Sequence, residues 1–307
     1  MITDFTSHTI NLCGDAIHYR RLEAGRSETL LCLHGFKDCS TSFETLAQHL
    51  SVRFNVVIPD WIGHGKSARL GCRPCGRAAL LGLLAAFAAR VMPARYVLLG
   101  HSMGAGFAVD YCGFFPDEIL ALILLEGVAP PDDAETRVAS MKAWLEGLRT
   151  TNYASIKRPI FTRDAARASL KFRNSRLSAD SLDELVSNYT AEIVDGAFTW
   201  HFDPMLDVCL APDYLSQPVR RYLCAHIACP TIGLYGEHSY HWRGTVRPER
   251  IAPKLDDLPD SVTELLAPFG TAKVEIIPES GHNLHREAPA YVASRILHLL
   301  PLTAGGH

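Results

Sequence analysis

Apolar positions in this chain fall into short continuous runs separated by stretches of helical spacing. Thr9 to Leu12 and Ala16 to Leu22 predict two opening strands in an antiparallel arrangement. Further strands are expected at Thr29 to Leu33, Asn55 to Ile58, Tyr96 to Leu99 and Leu120 to Leu125. Helical periodicity lies between them at Ser42 to Leu50, Arg77 to Val91 and Met103 to Phe115. That alternation predicts an α/β fold, a mostly parallel sheet with helices on both faces. No internal repeat interrupts it.

The character changes at Pro130-Pro131-Asp132-Asp133, which breaks the strand pattern. Helical periodicity follows in Glu135 to Leu148 and Ser181 to Val194, and the arginines of Arg163 to Arg176 read as a solvated helix face. The sheet resumes with Thr231 to Tyr235 and Lys273 to Ile277, ahead of a helical stretch to Leu300. The expected organisation is a core over 1–129, a helical cap over 130–224 and a second part of the core over 225–307. The longest apolar stretch, Ala78 to Ala89, contains Gly82 and falls short of the roughly 20 residues a membrane span needs, so a core helix is expected.

Three stretches carry the candidate chemistry. Gly100-His101-Ser102-Met103-Gly104 is a G-x-S-x-G string between a predicted strand and a predicted helix, the context in which a sharp turn pushes a serine out as a nucleophile. Glycines at 100 and 104 leave room for that turn against the adjacent strand and helix. Leu30-Leu31-Cys32-Leu33-His34-Gly35-Phe36 is a buried strand running into a tight turn. In an acyl-transfer enzyme, backbone N–H groups of Phe36 and Met103 would converge on the developing oxyanion. Near the end, Gly281-His282 lies on a loop after a strand, where a histidine can reach back to a distant serine as general base and then general acid. His282 is the expected base, with His285 next and expected to be a buried histidine at the following helix start.

With Pro59-Asp60-Trp61-Ile62-Gly63-His64-Gly65-Lys66-Ser67 between them, these stretches resemble the α/β-hydrolase superfamily over nearly the whole chain. The resemblance implies the α/β-hydrolase fold with an inserted, mainly helical cap, and structural roles for Asp60 and His64 in a turn. It also exposes a departure. Most members carry an aspartate in a Gly-x-x-Asp string after the strand matching Thr231 to Tyr235, whereas this chain has Gly236-Glu237-His238-Ser239. Serine cannot hold negative charge beside an imidazolium. Glu126, directly after six apolar strand residues, is the expected replacement, because a buried glutamate needs a partner and a histidine N–H supplies one. Haloalkane dehalogenases and certain esterases of the superfamily place their acid on this strand. Glu237 is the alternative acid, and Asp256 and Asp257 are more remote choices.

The expected activity is that of a serine hydrolase cleaving a carboxylic ester or thioester of a small, largely apolar substrate through an acyl-enzyme on Ser102. Alternatives on the same fold are an acyltransferase or cyclase, a C–C hydrolase or lyase, and a ligand-binding protein without catalysis, for which Ser239 is the best support. Trp61, Trp144, Tyr153, Trp200 and Phe202 are candidate substrate contacts. Thr199 to Leu206 resembles a Trp-x-x-Asp-Pro segment at the cap exit of many capped hydrolases.

Composition adds boundaries. Among 307 residues, 48% are hydrophobic and 21% charged, enough for a substantial core. A formal charge of −3 and the lack of a long basic block argue against nucleic-acid and anionic-membrane partners. Met1 to Thr6 has neither a basic nor an apolar signal region, and nine cysteines without regular spacing suit reduced thiols, so a cytoplasmic location is expected. Cys72-x-x-Cys75 lacks a second ligand pair, and neither metal nor organic cofactor is expected. A homodimer is a base-rate expectation.

Overall fold

The computed structural model describes residues 4–127, 133–152, 156, 158–239, 262, 263, 266, 269 and 272–300. Its strands are β1 Thr6–Leu12, β2 Asp15–Leu22, β3 Glu28–Leu33, β4 Phe54–Pro59, β5 Tyr96–His101, β6 Ile119–Leu125, β7 Thr190–Val194, β8 Ala197–Trp200, β9 Thr231–Gly236 and β10 Lys273–Ile277. Its helices are α1 Glu44–Leu50, α2 Arg77–Val91, α3 Met103–Phe114, α4 Ala134–Thr150, α5 Arg163–Arg173, α6 Ala179–Tyr189, α7 Leu206–Cys209, α8 Gln217–Cys224, α9 Leu284–Glu287 and α10 Pro289–Leu299.

Eight strands form one sheet in the order β1-β2-β4-β3-β5-β6-β9-β10. β1 and β2 pair antiparallel with each other, β2 pairs antiparallel with β4, and the remaining pairs are parallel. Every residue of β3, β5 and β9 is buried, as strands covered on both faces require. Alternation then splits the core in two: Leu31, Leu33, Leu98, Leu122 and Leu124 face one apolar layer, while Leu30, Cys32, Leu99, Ile123 and Leu125 face the other. β5 and β6 lie side by side near the middle, so their tips emerge next to each other. Ala78 to Ala89 falls within α2, which buries Leu80, Leu84, Phe87 and Ala88 in the core. No helix among the described residues is long and apolar enough to cross a membrane.

Between β6 and β9 the chain makes a mainly helical insertion, whose Ala166, Leu170, Leu182, Leu185, Val186 and Tyr189 form a small apolar cluster with Cys39 of the segment after β3. Side-chain caps start its helices: Thr162 Oγ1 accepts from the Ala165 N–H at 3.2 Å and Ser178 Oγ from the Ser181 N–H at 3.1 Å. The helix expected over Ser181 to Val194 stops at Tyr189, and Thr190–Val194 instead forms a hairpin with Ala197–Trp200. β-branched Thr190, Ile193 and Val194 favour a strand, and Gly196 at φ 71° supplies the turn. The Ser42 to Leu50 helix begins as a 3-10 turn over Ser40–Phe43. α8 lies on α3, where Leu223 meets Gly113 and Arg220 NH2 pairs with Asp110 Oδ1 at 3.0 Å.

Candidate active site

Ser102 sits at the junction of β5 and α3 with φ 53° and ψ −116°, a left-handed conformation that costs about 1–3 kcal/mol for a residue with a side chain. The sharp turn depends on its glycines. A Cβ on Gly100 would lie 2.6 Å from Ala105 Cα and collide with the Gly104 carbonyl, and one on Gly104 would collide with the Leu33 carbonyl. The result is a half-buried serine facing the loop after β10.

On that loop, His282 Nε2 accepts from Ser102 Oγ at 3.1 Å, and its Nδ1 donates to Glu126 Oε2 at 3.1 Å. His282 is separated from Ser102 by 180 residues and from Glu126 by 156, and all three meet at the strand C-terminal ends. His285 points elsewhere: it is fully buried, stacked on Phe43 at 4.9 Å.

Glu126 is 1% exposed and follows β6 with φ 56°. Its carboxylate is compensated by more than the imidazole. Oε1 accepts from the Gly236 N–H at 2.5 Å, and Oε2 accepts from the Ser239 hydroxyl at 2.5 Å. Donors from the end of β9, the residues after it and the histidine loop offset the desolvation of a buried charge. Sequence reasoning missed this role of Ser239, and its only signal was the position in the Gly-x-x-Asp string. Glu237 turns away, accepting from the Glu279 N–H at 2.8 Å and lying 3.9 Å from His238 Nε2. Asp256 and Asp257 lie outside the described residues.

The turn after β3 closes over the serine. A Cβ on Gly35 would sit 3.3 Å from Ser102 Cβ. Met103 is the first residue of α3, where an N–H has no partner within the helix, and among the described residues the Phe36 N–H meets no acceptor. His34 braces this turn: its Nε2 accepts from the Trp61 N–H at 3.1 Å, and Trp61 Nε1 donates to the His34 carbonyl at 3.0 Å. Trp61 is therefore a buried strut, packed on Phe107 with ring centroids 4.9 Å apart. Asp60 ties the next turn by accepting from His18 Nδ1 at 2.7 Å, Ser40 N–H at 2.6 Å and Lys66 N–H at 3.0 Å.

Behind His282 lies a buried cluster. His101 Nε2 donates to the His282 carbonyl at 2.9 Å, and burial, then the neighbouring His282, lowers its pKa to about 3. His101 is therefore neutral, with its proton on Nε2. Asp38, His101 and His285 bring potential ligand atoms within 4.8 Å of one another, yet Arg286 NH2 already pairs with Asp38 Oδ2 at 2.5 Å. A divalent cation there would face that guanidinium. For Asp38, burial opposes ionisation, and Arg286 leads the groups that outweigh it and hold the carboxyl below its ordinary range.

The other candidate contacts separate. Phe202 shares Lys37 with Phe36: the ammonium lies 5.5 Å from one ring and 5.3 Å from the other, so Phe202 stands beside the turn over Ser102. Trp200 stacks on Phe202 at 5.7 Å and also meets Phe161 at 4.5 Å in the insertion. Trp144 is half-buried on α4. Tyr153 lies outside the described residues.

The family profile for the alpha/beta hydrolase fold matches residues 28–221. This chain belongs to that family. A serine hydrolase-like protein of Danio rerio is 30% identical over 181 residues, covering 57% of this chain and 54% of the relative. Lipase LipV of Mycobacterium tuberculosis is 28% identical over 121 residues, covering 39% and 45%. Both matches thus span about half the relative's length. The thioesterase domain from the curacin biosynthetic pathway superposes with a TM-score of 0.76 at 23% identity, covering 96% of this chain and 99% of that domain, a likeness of fold.

Proposed function

We propose that this alpha/beta hydrolase is a serine hydrolase that cleaves a carboxylic ester or thioester of a small, largely apolar molecule. The observation that carries the reading is the unbroken chain Ser102 Oγ, His282, Glu126, with both hydrogen bonds at 3.1 Å. In the proposed reaction Ser102 Oγ attacks the carbonyl carbon while His282 Nε2 takes its proton. Glu126 fixes the tautomer with the proton on Nδ1 and stabilises the imidazolium. N–H groups of Phe36 and Met103 hold the oxyanion. His282 then gives the proton to the departing alcohol or thiol, leaving an acyl-Ser102 ester. A water, deprotonated by His282, attacks that ester; the acid departs and Ser102 regains its proton.

The Ser239 to Glu126 bond favours catalysis over a ligand-binding shell, because it turns the apparent defect in the acid motif into support for the relocated acid. We assign residues 130–224 as the cap, with Phe202 beside the turn that follows β3 and a small-molecule substrate as partner. A lipase and a thioesterase domain among the similar proteins support the ester and thioester classes. The test is a panel of p-nitrophenyl esters and acyl thioesters against wild type and Ser102→Ala. Turnover in the wild type, with a loss of about 10⁴-fold or more in the variant, is expected. Retained hydrolysis in Ser102→Ala, or failure of a fluorophosphonate to label Ser102, overturns it.

A further inference from the structure

The loop that carries His282 is gripped from two sides, and the outer grip comes from the insertion. Asn174, directly after α5, is 3% exposed. Its Nδ2 donates to the Leu170 carbonyl at 2.9 Å, which fixes the amide with Oδ1 turned toward the core. Asn283 Nδ2, on the residue after His282, donates to that Oδ1 at 2.9 Å, and Arg286 NH1 reaches it at 3.4 Å. Tyr189, at the end of α6, adds a second hold: its hydroxyl donates to Asp38 and accepts from Arg286. On the inner side the His282 carbonyl is held by His101.

Resting on the hydrolase reading above, we propose that Asn174, backed by Tyr189, is a positioning residue for His282. The insertion then does more than cover the site, because it holds the base in line. The physical reason is leverage. The His282 ring bonds the nucleophile on one side and the acid on the other, each at 3.1 Å, and a loop shift of a few tenths of an ångström disturbs that alignment. The inner hold fixes only the backbone carbonyl of His282. The Asn283 to Asn174 bond fixes the adjacent side chain, so together they define the rotation of the loop.

The experiment measures kcat and KM for Asn174→Ala, Asn283→Ala, their double variant and Asn174→Asp, on the best ester of the panel, with fluorophosphonate labelling rates of Ser102 alongside. Each alanine variant is expected to lower kcat and the labelling rate about 10-fold with KM unchanged within about twofold. The double variant is expected to lose no more than either single one, as two ends of one bond should. Asn174→Asp keeps an acceptor for Asn283 and Arg286 but loses the donor to the Leu170 carbonyl, so it is expected to recover only part of the rate that Asn174→Ala loses. Wild-type kcat in the alanine variants, a loss confined to KM, or multiplicative losses in the double variant overturn the proposal. If Asn174→Ala fails to fold, Asn283→Ala leaves α5 intact and its kcat decides. Ser102→Ala runs in parallel: turnover there removes the hydrolase reading, whereas a dead Ser102→Ala beside a fully active Asn174→Ala removes only the positioning role.

Discussion

Ser239 donates its hydroxyl to Glu126 Oε2 at 2.5 Å, across 113 residues of chain. Ser239 follows β9 and Glu126 follows β6, two strands that are neighbours in the sheet although β7 and β8 lie between them in chain order. The two strand tips thus meet at one carboxylate, which also bonds the histidine of the loop after β10.

Glu126→Gln should therefore lose about 10³- to 10⁴-fold in kcat, because an amide at that point presents the wrong partner to Nδ1–H and no charge to the imidazolium. Glu237→Gln should stay within a few-fold of wild type, since Glu237 serves the Glu279 N–H. Steady-state kinetics on both variants check the pair, and the opposite ranking would move the acid to β9.

Ser239→Ala removes the hydroxyl donor from Glu126 while the Gly236 N–H and His282 remain, so a loss of about 10-fold in kcat is expected. Ser239→Asp sets a second carboxylate against a buried one, and like charges at this spacing cannot both ionise. That variant should be impaired near neutral pH, and the combination Glu126→Ser with Ser239→Asp should recover activity relative to Ser239→Asp alone. Kinetics on the three proteins test whether the two strand tips are interchangeable hosts for the acid.

Gly104→Ala forces a methyl group onto the Leu33 carbonyl, a backbone atom that cannot swing away. A destabilisation of about 1–3 kcal/mol is expected, seen as a lower urea midpoint. Activity should fall with it, because the same shift moves the Ser102 turn against the β3 turn.

Acid should unfold the protein earlier than its carboxyl groups alone would dictate. Burial, aided by His34 for His64 and by His282 for His101, lowers both pKa values from 6.5 to about 3. The unfolded chain therefore binds two protons that the native state refuses between about pH 6.5 and pH 3. Their contribution is fully present above pH 6.5 and is lost as pH falls, with a slope approaching 1.4 kcal/mol per pH unit for each histidine. Asp38 and Asp60, with lowered carboxyl pKa values, add loss only below about pH 4. Urea melts at pH 8, 6 and 5 should show a stability drop between the last two that exceeds the drop between the first two.

Much of this was legible in the chain because it is written locally. Strand and helix alternate with different apolar periods, so the parallel core could be read in order. The serine string, the turn at Gly35 and the glutamate after six apolar residues each sit on an element whose end is visible in sequence. Other parts were written only in space. Asp38 and Tyr189 are 151 residues apart, Asn174 and Asn283 are 109 apart, and no local period announces either contact. The bracing role of Trp61 was hidden for a related reason, since an indole suits a binding wall as well as a strut and its bond to the His34 carbonyl spans 27 residues. The β7-β8 hairpin was hidden behind a helix that shares its first residues' spacing.

The insertion leaves the sheet just after Glu126 and rejoins it at β9. One way to test its contribution is to exchange this stretch for that of another alpha/beta hydrolase. Here a transplant would discard the amide at 174 and the phenol at 189 together with the old walls, and the recipient would inherit a new cavity over a slackened base. A graft that keeps those two side chains at the seam should retain its turnover, and one that omits them should bind but work slowly.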